Sequence, residues 1–214
     1  MPNTLLSFAL TPYFGLPSGD ELAREWRAMH GPSPKRVKWE PDGITCEADG
    51  VRTIIVAARH PIPGTEAQEG TALSATRFME GGDVEPHEAH LIVTSSAERI
   101  TLKELTLHVT LVAALAKTLD AVGIYSHGAT HPADFYVATA EEKLPLTALW
   151  CGVSYAKEPT MPGHVSFLTR GMDRLGLMEL EWVCHHDDVK QGFEQLMDVA
   201  TYVAELGRDL QPGE

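Results

Sequence analysis

The sequence has little cysteine and no long apolar segment. Cys46, Cys151 and Cys184 are spread along 214 residues without a CxxC pair, which favours reduced thiols over a disulfide framework. No stretch approaches the roughly 20 apolar residues that span a bilayer. The opening residues, MPNTLLSFALTPYFG, carry no basic region before their apolar run, so we expect no cleaved signal peptide. These absences favour a cytoplasmic protein.

Basic residues are also scarce. Seventeen Lys and Arg stand against thirty Asp and Glu, which gives a formal net charge of −13. This charge repels nucleic-acid phosphates and anionic membrane surfaces and attracts basic proteins. We therefore expect a basic protein partner, with no nucleic-acid or membrane partner. Solubility alone is the alternative explanation of the acids.

Acidic residues concentrate in two places. Residues 66–88 hold six acids with only Arg77 in opposition, and the last stretch, from Asp173 onward, is similarly acidic. From these two places we predict the partner-binding residues, which are Glu66, Glu69, Glu80, Asp83, Glu85, Asp187 and Asp188.

Local patterns predict an alternation of helices and strands. Ser18 with Glu21 and Thr101 with Glu104 have the spacing of capping boxes at helix starts. Asp49-Gly50 has the chemistry of a hairpin turn. Predicted strands cover residues 5–10, 36–39, 44–47, 51–57, 89–95, 122–125, 146–155, 164–169 and 177–183, and a last helix follows Asp187 or Asp188.

The order of these elements predicts an α+β fold. Strand, helix and then three strands occur in residues 1–82 and again in residues 83–214, which suggests two halves of similar pattern packed as one unit. A hydrophobic fraction of 43% and a charged fraction of 22% are those of an ordinary globular chain. We expect a single compact domain over residues 1–214, a largely antiparallel sheet covered by helices.

Histidines supply the candidates for metal binding. In YSHGATHPADF, His127 and His131 are four residues apart and Asp134 follows. Gly128 and Pro132 oppose the helix that would bring both imidazoles to one face, so the segment is interpreted chiefly as a strand exit and a helix start. A folded loop that turns both imidazoles toward Asp134 is the open alternative, and otherwise we expect no metal and no cofactor.

Other motifs match known sites incompletely. His87-Glu88-Ala89-His90 is one residue short of HExxH and precedes a predicted strand. The segment Cys184-His185-His186 could pair a thiolate with an imidazole, but the acids after it fit helix capping. The sequence contains no Walker A loop, no GxGxxG after a strand and no GxSxG elbow.

The C-terminal third resembles a known family. LPLTALW at residues 144–150 and SFLTRGMDRLGLMELEW at residues 166–182 are similar to the bacterial family described as domain of unknown function 4261. The positions that fit are Leu144, Pro145, Trp150, Thr169, Gly171, Gly176, Glu179 and Glu181. The resemblance implies a bacterial origin and one continuous domain, and it implies no activity or catalytic residue.

Two functions are compatible with these observations. The first is a non-enzymatic binding protein, an immunity or antitoxin-like protein that neutralises a cognate bacterial toxin with a basic surface, for example a secreted nuclease. The alternative is a metal-dependent hydrolase that uses His127, His131 and Asp134, with His87 or His90 as a further ligand. The acidity and the lack of a complete catalytic motif favour the first.

Overall fold

The structure is a computed structural model, and it describes residues 3–32, 35–41, 43–78, 84–142 and 145–210. Within these ranges the strands are β1 Asn3–Thr11, β2 Lys35–Glu40, β3 Gly43–Ala48, β4 Val51–Ala58, β5 Ala89–Ala97, β6 Gly123–Ser126, β7 Ala129–Pro132, β8 Gly152–Lys157, β9 His164–Arg170 and β10 Glu181–His185. The α-helices are α1 Gly19–Ala28, α2 Glu66–Glu69, α3 Leu102–Thr118, α4 Ala133–Glu141, α5 Thr147–Trp150 and α6 Val189–Leu206. Short 3-10 turns lie at Gly70–Leu73, Ala75–Phe78, Met172–Leu175 and His186–Asp188.

Seven strands form one sheet in the order β2-β3-β4-β5-β1-β6-β7. Each pair of neighbours in it is antiparallel. The two long strands β1 and β5 pair along their full length at its centre. Helix α3 lies across these central strands, and α1 and α4 flank it, so one face of the sheet is covered by helices. We call this the inner face and the opposite one the outer face.

A second, smaller sheet has the order β10-β9-β8 and is also antiparallel. Helix α6 packs on β9 and β10. Between them lies a second apolar core, in which the ring of Phe78 stacks on Phe193 and meets Phe167 edge-on. Aromatic packing of this kind attaches the small sheet and α6 to the rest of the chain.

The structure confirms the α+β class and the largely antiparallel sheet. Both predicted capping boxes are formed, at Ser18 and Glu21 and at Thr101 and Glu104. Asp49-Gly50 makes the tight turn between β3 and β4, with φ positive at both residues. These features depend on residues close together in the sequence, which explains why the sequence predicted them.

Two predicted strands differ from the structure, and the predicted last helix lacks only the side-chain bond of its cap. Residues 147–150 of the predicted strand 146–155 form the short helix α5. The predicted strand 177–183 begins only at Glu181, because Gly176 ends a 3-10 turn in the left-handed region and the chain then runs on without strand pairing. The last helix begins at Val189 after a 3-10 turn, and Asp188 occupies its N-cap position without a side-chain cap bond.

The two halves share the predicted order only in part. In the first, β1 and α1 precede the strands β2, β3 and β4. In the second, the hairpin β6-β7 and the helices α4 and α5 come between α3 and the last three strands, which form the separate sheet. A duplication of the two halves stays a prediction.

Candidate functional site

His127 and Gly128 are the central residues of a tight turn between β6 and β7. Their φ angles are 57° and 87°, and Ser126 pairs with Ala129 across the turn. Positive φ at both central residues is the conformation of a type I′ hairpin turn. The interpretation of this segment as a strand exit followed by a helix was therefore incomplete, because strand β7 lies between the turn and α4.

The three predicted metal ligands face different partners. His131 Nδ1 lies 2.9 Å from Ser74 Oγ, and the exposed Asp134 accepts a hydrogen bond from the backbone N–H of Phe135 at 2.7 Å. The His127 ring packs instead toward His108, with 6.4 Å between ring centroids. Within the described residues the three side chains do not form a group that could hold an ion. The hydrolase alternative therefore stays a prediction, and the structure does not bring its three proposed metal ligands together.

Burial keeps these imidazoles neutral. It lowers the pKa of His131 to about 4. Burial, together with the charges of Arg174 and His108, lowers the pKa of His127 to about 2. In the folded protein neither imidazole takes up a proton near neutral pH, so neither can act as an acid there.

A buried chain of hydroxyls passes through His108 on α3. Ser7 Oγ lies 2.8 Å from His108 Nε2, and Ser95 Oγ lies 2.8 Å from Nδ1 of the same ring. Ser126 Oγ continues the chain beyond Ser7, and Thr53 Oγ1 continues it beyond Ser95, each at 2.8 Å. Sequence reasoning missed this chain because its members come from five separate elements.

The Ser7 and His108 pair has the distance of a nucleophile and its base. All five members of the chain are buried between the inner face and α3, and burial lowers the pKa of His108 to about 3. A substrate has no approach to Ser7 Oγ. This chain of hydrogen bonds gives the buried polar groups their partners and joins α3 to four strands.

His87 and His90 hold a loop against the large sheet. His87 Nε2 accepts a hydrogen bond from the backbone N–H of Ile62 at 3.0 Å, and His90 Nδ1 donates to the carbonyl oxygen of His60 at 2.8 Å. Burial lowers the pKa of both side chains. Each imidazole has a backbone partner in the loop before α2, which is a structural use of both residues.

The predicted partner-binding acids lie on separate elements. Glu66 and Glu69 are exposed on α2, which packs against β7, and Glu85 is exposed on the segment that leads to β5. Asp187 and Asp188 are exposed in the turn before α6. Glu80 and Asp83 lie outside the described residues.

His185, His186 and Asp187 form an exposed cluster at this turn. Asp187 Oδ1 lies 3.0 Å from His186 Nε2, and Asp187 Oδ2 lies 3.3 Å from His185 Nδ1. In the described part of the chain this is the one group of three whose ligand atoms lie within 4.8 Å of one another. Solvent screens such exposed pairs strongly. Burial and the charge of Asp188 raise the pKa of the neighbouring Cys184 thiol, which opposes a thiolate partner for these imidazoles.

A groove of about 610 Å³ lies between α6 and the helices α4 and α5. Its apolar lining includes Phe135, Pro145, Ala148, Phe193 and Met197. The exposed side of α6 brings Lys190, Glu194 and Asp198 to the groove at four-residue intervals. Side chains at this spacing lie on one helical face, so the groove has an apolar floor and a mainly acidic rim.

One of the two walls of this groove could be predicted from the sequence. The four-residue spacing of Lys190, Glu194 and Asp198 is visible in a helix that was correctly predicted. The opposite wall was not visible, because residues 147–150 were expected to be a strand and instead form α5.

No family model, curated protein or solved structure matches this chain. Membership in the family that the C-terminal motifs resemble therefore stays a prediction. Among the described residues, none of the helices combines the length and the apolar character needed to cross a bilayer.

Proposed function

We propose that this protein is a non-enzymatic binding protein that neutralises a basic bacterial toxin, as an immunity or antitoxin protein does. The observation that carries the proposal is the groove between α6 and the helices α4 and α5, with its apolar floor and acidic rim. Such a groove suits a protein segment that combines apolar anchors with Lys or Arg side chains.

The charge of α6 and of the turn before it supports a basic partner. From residue 187 to residue 205 this region carries five acids, Asp187, Asp188, Glu194, Asp198 and Glu205, and one base, Lys190. The whole chain carries a formal net charge of −13. An acidic surface speeds the encounter with a basic one and makes the association sensitive to salt. A nuclease toxin needs a basic surface for phosphates, which fits this role.

The predicted contact at Asp187 and Asp188 belongs to the same end of α6 as the groove. The predicted contacts at Glu66 and Glu69 lie elsewhere, on α2 beside β7. We therefore assign the toxin contact to the groove and the start of α6 and not to α2.

Co-purification tests the proposal. The chain, expressed together with the products of the genes that flank its own, is expected to retain one of them at low salt and to protect the cell from it. The charge reversals Glu194→Lys and Asp198→Lys are expected to weaken retention. Asp20→Lys, an exposed acid on α1, is the matched control and is expected to have no effect.

Failure to retain any of the flanking gene products, even at low salt, would contradict the proposal. Retention that the two reversals on α6 leave unchanged would contradict the assignment to the groove.

A further inference from the structure

The outer face of the seven-stranded sheet is apolar at its centre and open to solvent. Leu6 of β1 and Ile54 and Val56 of β4 are each 40% exposed. Phe8, Ile92, Thr94 and Tyr125 beside them are partly exposed. An antiparallel sheet with one solvated face normally carries polar side chains there, and a continuous apolar patch indicates an interaction surface.

Strand register makes these side chains one continuous patch. Val56 pairs with Ile92, Ile92 with Phe8, and Phe8 with Tyr125, so four apolar side chains follow one row across the sheet. Ile54, Thr94 and Leu6 form the next row. Directly paired residues of an antiparallel sheet point to the same face, so both rows face outward.

The two edges of this face carry opposite charge. Cross-strand pairing brings Lys35, Lys38 and Arg52 to the outer face on the side of β2, where Arg36 is also exposed. Two acids lie among them, Glu40 and Glu47, and Glu47 forms an ion pair with Arg36. Four bases and two acids leave this edge basic.

At the other edge, α2 packs against β7 with Glu66 and Glu69 exposed. Thr130 pairs with Tyr125 and shares its face, and a Cβ at Gly70, directly after α2, would lie 2.4 Å from Thr130 Oγ1. Burial raises the pKa of Tyr125, and the negative charge of Glu66 raises it further, so α2 brings negative charge to this end of the patch. The outer face is therefore basic at the β2 edge, apolar in the middle and acidic at the α2 edge.

We infer that this face binds a second copy of the same chain, sheet on sheet, about a two-fold axis parallel to the strands. That axis passes over β5, the middle strand of seven, and lays the basic β2 edge of each copy over the acidic α2 edge of the other. A two-fold axis across the strands would instead place like charges together. A surface that complements itself is what a symmetric dimer requires, and stacked sheets with aligned strands are a common packing.

The open part of the face sets the scale of this interface. Strand β7 is entirely buried, so six strands about 4.8 Å apart, with three rows of outward side chains about 6.8 Å apart, give about 24 by 20 Å, or about 500 Å² for each copy before the exposed surface of α2 is added. Stable interfaces bury about 800 Å² for each partner. A partner with a uniformly basic surface would meet Lys35, Lys38 and Arg52 unfavourably, which argues against the toxin of the proposed function as the occupant.

Sedimentation velocity of the full, untagged chain over a range of concentrations tests the inference. The chain is expected to be a dimer, and Ile54→Asp is expected to raise its dissociation constant about tenfold or more. Met178→Asp changes a side chain that is 64% exposed away from this face and serves as the control. Circular dichroism serves to check that each variant is folded.

Charge reversal provides a second test that does not depend on the apolar patch. Lys35→Glu with Lys38→Glu, and separately Glu66→Lys with Glu69→Lys, are each expected to weaken the dimer. An equimolar mixture of the two double variants is expected to form a heterodimer, because both pairs of facing edges then carry opposite charge.

A wild-type chain that stays monomeric at every concentration would overturn the inference. So would a dimer that Ile54→Asp leaves intact, or a mixture of the charge variants that does not associate. Loss of dimerisation with toxin retention intact would separate this surface from the groove.

Discussion

Ser7 and His108 are hydrogen-bonded to each other, with 2.8 Å between Oγ and Nε2, at a place that solvent does not reach. The pair joins the central strand β1 to the central helix α3. Beyond it, Ser126 and Ser95 extend the chain of hydrogen bonds to the strands on either side. The large sheet is thus attached to its covering helix by polar contacts as well as by apolar packing.

Replacing His108 is expected to destabilise the fold. His108→Leu leaves Ser7 and Ser95 with one partner fewer inside the core, which costs about 2 to 4 kcal/mol in the free energy of unfolding. Urea denaturation measures the change. Ser7→Ala, which removes a smaller group, is expected to cost less. A His108→Leu variant as stable as the wild type would show that this chain of hydrogen bonds contributes little to the stability of the fold.

Stability is expected to fall as the pH drops below about 6.5. The folded pKa values of His108, His127 and His131 are about 3, 2 and 4, below the ordinary 6.5. Between pH 6.5 and about 4 the unfolded chain therefore takes up protons that the folded chain does not. Each such histidine lowers the free energy of unfolding by about 1.4 kcal/mol for each pH unit across that window.

Denaturation as a function of pH tests this expectation. His131→Asn removes one of these protons and is expected to reduce the slope between pH 6 and pH 4.5 by about 1 kcal/mol for each pH unit. His30→Asn changes an exposed histidine and is the control. A slope that His131→Asn does not change would mean that His131 is protonated in the folded protein.

Gly192, inside α6, is expected to resist replacement by alanine. A Cβ at this position would lie 2.5 Å from Cys184 Sγ and 3.2 Å from a ring carbon of Phe167. Gly→Ala in a helix interior normally adds about 1 kcal/mol of stability, but here the clash is expected to make it destabilising by about 1 to 3 kcal/mol. Thermal denaturation shows whether Gly192→Ala lowers or raises the stability of the fold. Cys184→Ala is expected to recover part of the loss, and a Gly192→Ala variant more stable than the wild type would contradict this packing.

Chelation is expected to leave the fold unchanged. His131 and Asp134 each have a protein partner, and His127 faces His108 instead of either of them. Protein purified without a histidine tag is expected to contain no stoichiometric metal by elemental analysis, with the same melting temperature with and without EDTA. One bound metal per chain, lost on His127→Ala, would instead support the hydrolase.

Much of the fold could be predicted from short-range patterns. The capping boxes at Ser18 and Thr101 and the turn at Asp49-Gly50 depend on residues within three positions of each other. The turn at His127-Gly128 was missed, although glycine after a residue that tolerates positive φ is a signal of the same kind. Strand β7 is only four residues long and entirely buried, so it lacks the alternation that marks a half-exposed strand.

The sites depend on contacts between distant segments, which local patterns do not contain. Ser7 and His108 are 101 residues apart in the chain. The apolar patch on the outer face needs the register of β1, β4, β5 and β6 before its members become neighbours. The groove needs α5, whose residues 147–150 have the apolar composition of a strand. The acidity of α6, in contrast, was visible in the sequence from the start.

The most direct test of the proposed function is the affinity of this chain for a retained partner as a function of salt. For the wild type, affinity is expected to fall steeply as salt rises, because acidic and basic surfaces attract each other over a distance that salt shortens. For Glu194→Lys with Asp198→Lys, affinity is expected to be lower at low salt and to depend less on salt, with Asp20→Lys like the wild type. An affinity that neither salt nor the two reversals change would contradict a basic partner bound at the groove.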